Sequence, residues 1–502
     1  MRTKPFLRGR IWLPWLVLLL TAAAPAQFIE VKTVPLASGG QFLLFPSQNL
    51  GMGGVSIALE DPLLDPFTNP ARGSQIDGVR LFSAPAFYSI SGELGAGRTL
   101  PLGALFGSGR WFGGISLAAQ QLQAADKPEF FGPVPTYVSN PSQIPSYQYP
   151  DTERNANNLY FSGSLGTRIA GSGLAVAASF FYAGLEAVEG VEVLYPNSLR
   201  VEQSGRVAEA RLGLLAELGE RRSIEGVLLY HHADMTQDVF YPATYWWGGP
   251  EPFIEPGRVE RNLDRTGTWG AHLQYRQPLP GEQWQAGGIL TANLKTHPKI
   301  PNYELMNIPR DPGDSRALNI GAGVSRRNGP AVFGVDLVYE PIWSHTWADA
   351  AAPVETPSGS IIPAGGKTVD NRFRFSNWLL RIGVERQDEP FGFQIGLQWR
   401  WIRYWLDQEN YLGESRRSLR TGWSEWSPGV GLSLKFPEFQ IRYTGRLTLG
   451  TGRPGVAGVQ LASPNGNLMG SDLLIAPHGE VAVDEAIVLT HQFSVIIPLR
   501  TK

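Results

Sequence analysis

The stretch Phe391–Trp401 reads FGFQIGLQWRW and decides the fold class. Aromatic and aliphatic residues occupy its odd-numbered positions, whereas glycine, glutamine and arginine occupy the even-numbered ones. A period of two predicts an extended strand with one apolar face and one polar face. A soluble sheet would show the same alternation, so the fold class depends on how often the pattern recurs and on what the polar faces carry.

The alternation recurs about a dozen times, most clearly in Arg206–Leu218, Thr268–Arg276, Trp284–Thr296 and Phe439–Leu449. The polar faces of these runs carry charged residues of both signs, which the dry core of a sandwich does not tolerate. We therefore predict an all-β fold, an antiparallel transmembrane β-barrel with lipid outside and a polar lumen inside. We expect the charges to form ion pairs that brace the wall or hold a plug. The charged residues predicted to line the lumen are Glu209, Arg211, Arg381, Glu385, Arg400, Arg442 and Arg446.

The connections between these runs alternate between short turns and long segments. In an up-and-down barrel this pattern places the short turns in the periplasm and the long loops outside the cell. A β-propeller, the soluble rival, would repeat every 40–45 residues or about 50, and the sequence has no such repeat. The hairpins from Trp111 to Leu499 predict about 14 strands, and Val79–Ile90 with Thr99–Phe106 would raise the number to about 16. The predicted long loops are Leu122–Asn158, Ala187–Gly205, Ala233–Thr266, His297–Ser315, Pro341–Arg372, Asp407–Gly422 and Gly450–Asp484.

The N-terminus has the composition of a secretory signal peptide. Four basic residues accompany the apolar run Leu13–Ala24, and Ala24-Pro25-Ala26 supplies a small-residue cleavage site, so we expect residues 1–26 to be removed before Gln27. Removal takes away four basic residues and no acidic one, so the formal net charge falls from −2 to −6. A mildly acidic chain without a basic stripe does not predict nucleic acid as a partner. The absence of cysteine excludes disulfides.

The residues before the first strand do not alternate. The series Leu50-Gly51-Met52-Gly53-Gly54-Val55, followed by Glu60-Asp61 and Asn69-Pro70-Ala71, resembles the N-terminal region of the FadL-like outer-membrane proteins. That superfamily includes long-chain fatty acid and aromatic-hydrocarbon transporters and the PorV/PorQ proteins of type IX secretion. In its transport branch this region folds inward as a hatch that closes the lumen. The resemblance implies hatch residues Gly51, Met52, Gly53, Gly54, Asn69, Pro70 and Ala71.

A hatch also follows from barrel geometry, because a lumen of about 14 strands is too wide for its own side chains to fill. We therefore expect three regions: a signal peptide at residues 1–26, a hatch segment at 27–77 and an outer-membrane barrel at 78–502. The alternative is a periplasmic capping segment without a gating role.

No group of residues predicts catalysis, a cofactor or a metal site. The histidines are scattered, and His231 and His232 point to opposite faces of one strand, which is a poor arrangement for a metal. A barrel hydrolase needs a serine, a histidine and an orienting polar group close together, and the sequence pairs no such set with His491. We therefore expect that the protein is not an enzyme.

Two of the predicted loops are rich in aromatic residues. Such residues above a polar lumen would form a capture groove for an apolar solute, pack on one another as a lid, or contact carbohydrate, and these alternatives remain open. The candidate capture residues are Phe130, Phe131, Tyr241, Tyr245, Trp246, Trp247 and Phe253.

The sequence therefore predicts a channel in the cell outer membrane of a Gram-negative-type bacterium that admits small hydrophobic molecules passively. Its expected partners are membrane lipid and the solute. Two alternatives remain: a PorV/PorQ-like component with secretion-system proteins as partners, and a structural or adhesive surface barrel.

Overall fold

The computed structural model describes most of the chain. The described residues are 35–124, 155–194, 198, 200–219, 221–241, 244–246, 253–255, 258–281, 283–297, 313–350, 352–456 and 481–499. The predicted signal peptide lies outside them.

Sixteen antiparallel strands form one closed sheet within this described part. The first strand, β1, is interrupted at Ala84-Pro85, where proline has no N–H to give to a neighbour. The strands are β1 (Gly78–Ser83 and Ala86–Ile90), β2 (Ala96–Ser108), β3 (Trp111–Gln123), β4 (Asn155–Ile169), β5 (Leu174–Leu185), β6 (Arg200–Gly219), β7 (Arg222–Tyr241), β8 (Arg258–Pro278), β9 (Trp284–His297), β10 (Gly313–Asn328), β11 (Ala331–Asp349), β12 (Lys367–Asp388), β13 (Phe391–Asn410), β14 (Ser415–Lys435), β15 (Gln440–Val456) and β16 (Val481–Leu499).

The sheet closes because β1 pairs with both β2 and β16. Val79 lies opposite Phe106 on β2 and opposite Leu499 on β16. The predicted β-barrel is therefore confirmed, and the higher of the two strand numbers is the observed one. β1 and β2 supply the additional pair.

Four short helices and two small hairpins accompany the barrel in the described residues. The helices are Leu50–Met52, Asp65–Thr68, Pro70–Gln75 and Val191–Leu194, and the hairpins pair Thr244–Trp246 with Phe253–Glu255 and Val354–Glu355 with Ile361–Ile362. No helix in the described ranges is both long and apolar enough to cross a bilayer.

The two ends of the barrel differ in their connections. At the short-turn end, neighbouring strands are joined by residues 109–110, 170–173, 220–221, 279–283, 329–330, 389–390 and 436–439. At the long-loop end, most connections are longer, but the predicted loop Asp407–Gly422 is wrong. There β13 continues to Asn410 and β14 starts at Ser415, leaving a turn of residues 411–414.

Strand length explains this error. β12 has 22 residues, whereas a tilted strand crosses a bilayer in about 9–11. Strands of this length extend past an apolar band, and beyond it the outer face is polar too. A polar stretch such as 407–422 therefore has the composition of a loop although it is part of a hairpin.

The alternation in β13 separates the two faces of the wall as predicted. Phe391, Phe393 and Ile395 are 67%, 50% and 53% exposed on the outside, whereas Gln394 between them is 2% exposed and faces the lumen. Large apolar side chains on the outer face are stable in contact with lipid but not with water. The same outer face carries the hydrogen bond between Tyr443 Oη and His491 Nδ1, at 2.9 Å.

Candidate functional site

Residues 35–77, called the inner segment from here on, lie inside the barrel and extend from its long-loop end to its short-turn end. Near the long-loop end, Leu36 forms a parallel bridge with Gly452, and the Ala37 N–H donates to the Gly452 carbonyl at 2.8 Å. Near the short-turn end, helix Leu50–Met52 contacts β12–β15, and helix Pro70–Gln75 contacts β2–β6. The inner segment therefore contacts strands on opposite sides of the lumen.

Glycines in the wall leave room for the inner segment to lie against the strands. A Cβ atom at Gly383 would be 2.3 Å from the Met52 carbonyl oxygen, and one at Gly396 would be 2.1 Å from the Met52 carbonyl carbon. Real Cβ atoms do not approach other atoms so closely, so both positions require glycine. Met52 is fully buried as a result.

The predicted hatch glycines meet the wall in the same way. A Cβ atom at Gly51 would be 2.9 Å from the backbone of Gly431. Gly53 and Gly54 have φ angles of 71° and 76°, in the left-handed region that favours glycine. The GMGG sequence thus fits a sharp change of chain direction in contact with backbone.

Asn69-Pro70-Ala71 attaches the end of the inner segment to β6 and β7. The Asn69 side-chain amide donates to Glu225 Oε2 at 2.8 Å and to the Leu214 carbonyl at 3.2 Å. Its oxygen accepts from the Ala71 N–H at 3.1 Å and so caps helix Pro70–Gln75. Ala71 is fully buried.

A buried ion-pair cluster surrounds this attachment. Arg72, which is 1% exposed, donates through Nε and Nη2 to the two oxygens of Glu225 at 2.9 and 2.6 Å, and through Nη1 to Glu60 at 2.8 Å. Arg276 on β8 lies 3.8 Å from Glu225 and 4.0 Å from Asp65. Burial raises the pKa of the Asp65 carboxyl to about 7, although Arg276 and Arg72 act to lower it.

A second polar anchor lies on β11 and β12. Asp336 is fully buried and accepts from the backbone N–H groups of Ser56 and Ile57, the shorter contact being 2.7 Å. Arg381 Nη1 donates to the Ser56 hydroxyl at 3.3 Å. The charged wall residues therefore bind the backbone of the inner segment in its middle part.

The charged residues predicted to line the lumen all occupy inward positions. Arg211 pairs with Glu209 at 2.7 Å and donates to the Thr68 carbonyl at 2.8 Å. Arg442 lies 3.7 Å from Glu385 and donates to the Gln48 carbonyl at 3.2 Å. In addition, Arg381 contacts Ser56 as above, whereas Arg400 and Arg446 face the lumen elsewhere on β13 and β15.

The strongest anchors were not predicted from the sequence, namely Arg72, Glu225, Arg276 and Asp336. Arg276 ends the predicted strand run Thr268–Arg276, but nothing in that run distinguishes it from the other polar residues. No local signal identifies Glu225 or Asp336, because their partners lie 153 and 280 positions away in the chain.

The proposed capture residues are only partly described. Tyr241 ends β7, and Tyr245 and Trp246 form the hairpin with Phe253. Trp247, Phe130 and Phe131 lie outside the described residues. Their predicted role therefore remains a prediction.

A group of buried apolar side chains faces the lumen on β10–β13, and the sequence analysis did not predict it. This group, called the apolar strip from here on, consists of Ala317, Ile342, Phe373, Phe375, Ile402, Tyr404 and Leu406. The missed signal is the change after Trp401, where the even-numbered positions of β13 turn from polar to apolar. Leu419 and Trp423 of β14 pack against the strip.

The sequence matches no protein-family model and no curated protein. The structure is similar to that of a FadL homologue from Pseudomonas aeruginosa, with 12% identity, a TM-score of 0.42, and coverage of 91% of this chain and 99% of the other. It is also similar to the toluene transporter TodX of Pseudomonas putida (10% identity, TM-score 0.37, coverage 93% and 100%) and to the FrpB iron transporter of Neisseria meningitidis (10%, 0.33, 84% and 82%). At these identities and TM-scores the likeness carries no argument about what this chain does.

Proposed function

We propose that this protein is an outer-membrane barrel that admits small hydrophobic molecules passively, with the inner segment as its hatch. Residues 1–26 would be the cleaved signal peptide, residues 27–77 the hatch segment and residues 78–502 the barrel. The membrane location is supported by the exposed apolar side chains on the outer face of the closed sheet.

The observation that carries the proposal is the position of the inner segment. Sixteen strands enclose a lumen that side chains of the wall do not fill. The inner segment contacts opposite walls of that lumen close to the short-turn end, and its glycines fit the glycines of the wall. It is held there by hydrogen bonds and ion pairs and by apolar side chains packed against the wall, all of which are non-covalent contacts that can break and form again.

The apolar strip supports the hydrophobic nature of the solute. It lies on the inner wall between the long-loop end and the part of the hatch at residues 50–58, so a solute that has passed the loops would meet aromatic and aliphatic side chains before that part of the hatch. Capture by the aromatic residues of the long loops would precede this step. Displacement of the inner segment would then release the solute toward the short-turn end.

A reversible covalent lock tests the hatch. A Cβ atom at Gly334 would lie 3.5 Å from the Val55 Cβ, which is within the Cβ···Cβ range of disulfides, about 3.5–4.5 Å. The natural chain has no cysteine, so the Val55→Cys/Gly334→Cys variant can form one disulfide only. We expect uptake of a small hydrophobic solute by liposomes containing this variant to stop on oxidation and to return on reduction.

The controls are the reduced double variant and the Val55→Cys variant treated with the same oxidant, because neither contains the lock; Gly334→Cys alone is unsuitable, since its Cβ would lie 2.7 Å from Val55 Cγ1. Uptake that continues through the oxidised double variant would contradict a moving hatch. A knockout strain that grows normally on hydrophobic carbon sources but fails to export many proteins would instead favour the secretion alternative.

A further inference from the structure

The inner wall of β8 and β9 contains buried uncharged polar groups that have no hydrogen-bond partner among the described residues. Asn293 is 6% exposed, and within the described ranges neither its Nδ2 nor its Oδ1 has a partner; Thr268 is fully buried, and its Oγ1 has none there either. Thr268 lies opposite Lys295 on β9, so it is a diagonal neighbour of Asn293 on the same face. Two such residues side by side are unusual, because buried polar groups are nearly always hydrogen-bonded.

These groups lie directly beside the apolar strip. In the register of the sheet, Asn293 is opposite Ala317, Ala317 is opposite Ile342, Ile342 is opposite Phe375, and Phe375 is opposite Tyr404. This row crosses four strand spacings, so it is roughly 19 Å long. One uninterrupted row on the lumen wall therefore begins with an unpaired amide and continues with apolar side chains.

The far end of the row carries a second unpaired group. Tyr404 is 1% exposed, and its Oη has no hydrogen-bond partner in the part of the chain that the structure describes. The unpaired groups of the row are thus amides and hydroxyls. Such groups can donate hydrogen bonds to, and accept them from, the uncharged polar groups of a solute.

We propose that the wall of β8–β13 binds an uncharged solute that joins an apolar skeleton to a hydroxyl, carbonyl or amide group. The polar group binds at Asn293 and Thr268, and the skeleton lies on the apolar strip. This inference rests on the proposed uptake function and specifies its substrate class. A site with unpaired amide and hydroxyl groups discriminates against a solute that lacks a polar group, because the amide and hydroxyl groups of the site then stay unpaired.

An anionic solute is the main rival, since Lys295 lies two residues from Asn293 on the same face. Three probes with one ring skeleton separate the classes: benzyl alcohol is polar and uncharged, toluene is apolar, and benzoate is anionic. Their binding to the detergent-solubilised full barrel can be measured by titration calorimetry.

The test variant is Asn293→Leu/Thr268→Val, which keeps side-chain size while removing the polar atoms. Removal of unpaired buried polar groups does not destabilise a fold, so the variant should be recovered as a folded barrel. We expect its affinity for benzyl alcohol to fall about tenfold, the value of one hydrogen bond at the upper end of its usual range, with affinity for toluene unchanged or higher. Tyr404→Phe tests the far end of the row in the same way with a longer probe that carries a hydroxyl at both ends, such as 1,12-dodecanediol.

Asn157→Leu is the matched control, because Asn157 is an exposed asparagine near the long-loop end of β4. If the test variant lost affinity for benzyl alcohol and toluene equally, or lost affinity for neither, the inference would be overturned while hydrophobic uptake stayed intact. Tighter binding of benzoate than of benzyl alcohol, abolished by Lys295→Met, would replace it with an anion site. Failure of all three probes to bind would count against the proposed function as well.

Discussion

Replacement of Arg72 by methionine should release the inner segment from the wall. Arg72 is almost fully buried and makes two hydrogen bonds with Glu225 and one with Glu60. The substitution keeps an unbranched side chain of similar length but leaves Glu225 buried without its main cation. The substitution lies in the inner segment, so every residue of the barrel wall stays the same.

The size of the effect follows from the partners that remain. Loss of one member of a buried ion pair costs about 3–5 kcal/mol. Glu225 keeps the Asn69 amide at 2.8 Å and Arg276 at 3.8 Å, so we expect the lower end, about 3 kcal/mol. Since about 1.4 kcal/mol is a factor of ten, the fraction of molecules with a displaced segment should rise by about 100-fold.

Amide hydrogen exchange of residues 50–76, measured by mass spectrometry on the purified barrel, reports that fraction directly. Arg386→Met is the matched control, because Arg386 pairs with Asp388 in an exposed position where an ion pair contributes about 0–1 kcal/mol. The double variant Arg72→Met/Glu225→Met leaves no unpaired charge, so its exchange should return toward that of the natural chain. If Arg72→Met and Arg386→Met exchange alike, the ion-pair cluster does not hold the segment.

Three further perturbations address the same contacts. The pKa of Asp65 is about 7 in the folded protein against 3.8 for a free carboxyl, so the docked segment binds an extra proton between these values and should be held more firmly at pH 5.5 than at pH 8. Asp65→Asn should reduce this difference in exchange (corrected for intrinsic rates) without removing it, because burial also raises the pKa of Glu189, which accepts from the Gln41 N–H, to about 6. Asp336→Asn should weaken docking of the inner segment by about 1–3 kcal/mol, and amide hydrogen exchange should become faster at residues 56–57 only. Equally faster exchange along the whole segment would contradict a local anchor. Gly383→Ala should displace the segment, whereas Gly226→Ala, where the nearest atom to a Cβ is 3.8 Å away, should leave exchange and barrel stability unchanged.

The sequence was sufficient to predict the barrel and the face of the wall to which each side chain points. In a strand that face depends only on whether the residue stands at an odd or an even position. Phe393 and Gln394 are assigned to opposite faces by that rule alone. The rule does not give strand ends, since hydrogen bonding continues past the apolar band and residues 403–410 remain paired although their pattern no longer separates lipid from lumen. The interruption of β1 at Pro85 likewise cannot be seen in the alternation of apolar and polar residues.

The inner segment was predictable only in part, for a different reason. Its composition marked it as irregular, and Gly53 and Gly54 marked a turn. Its partners were not predictable, because the contact between Ser56 and Asp336 joins positions 280 residues apart and depends on the closure of the whole sheet. Contacts of this kind need the register of every strand between them.

The distribution of small and charged residues on the lumen wall argues that segment and barrel act as one unit. Gly383, Gly396 and Gly334 each leave a space that the inner segment occupies, while the buried carboxylates of Glu225 and Asp336 accept hydrogen bonds from the inner segment. If the segment moved away permanently, these carboxylates would face an open lumen and hydrate, at no great cost. Release would break these polar contacts, which water can replace, and would also expose apolar side chains of the inner segment that pack against β11 and β12. A passing solute can displace such a hatch without any other source of energy only where its own apolar surface replaces part of that burial.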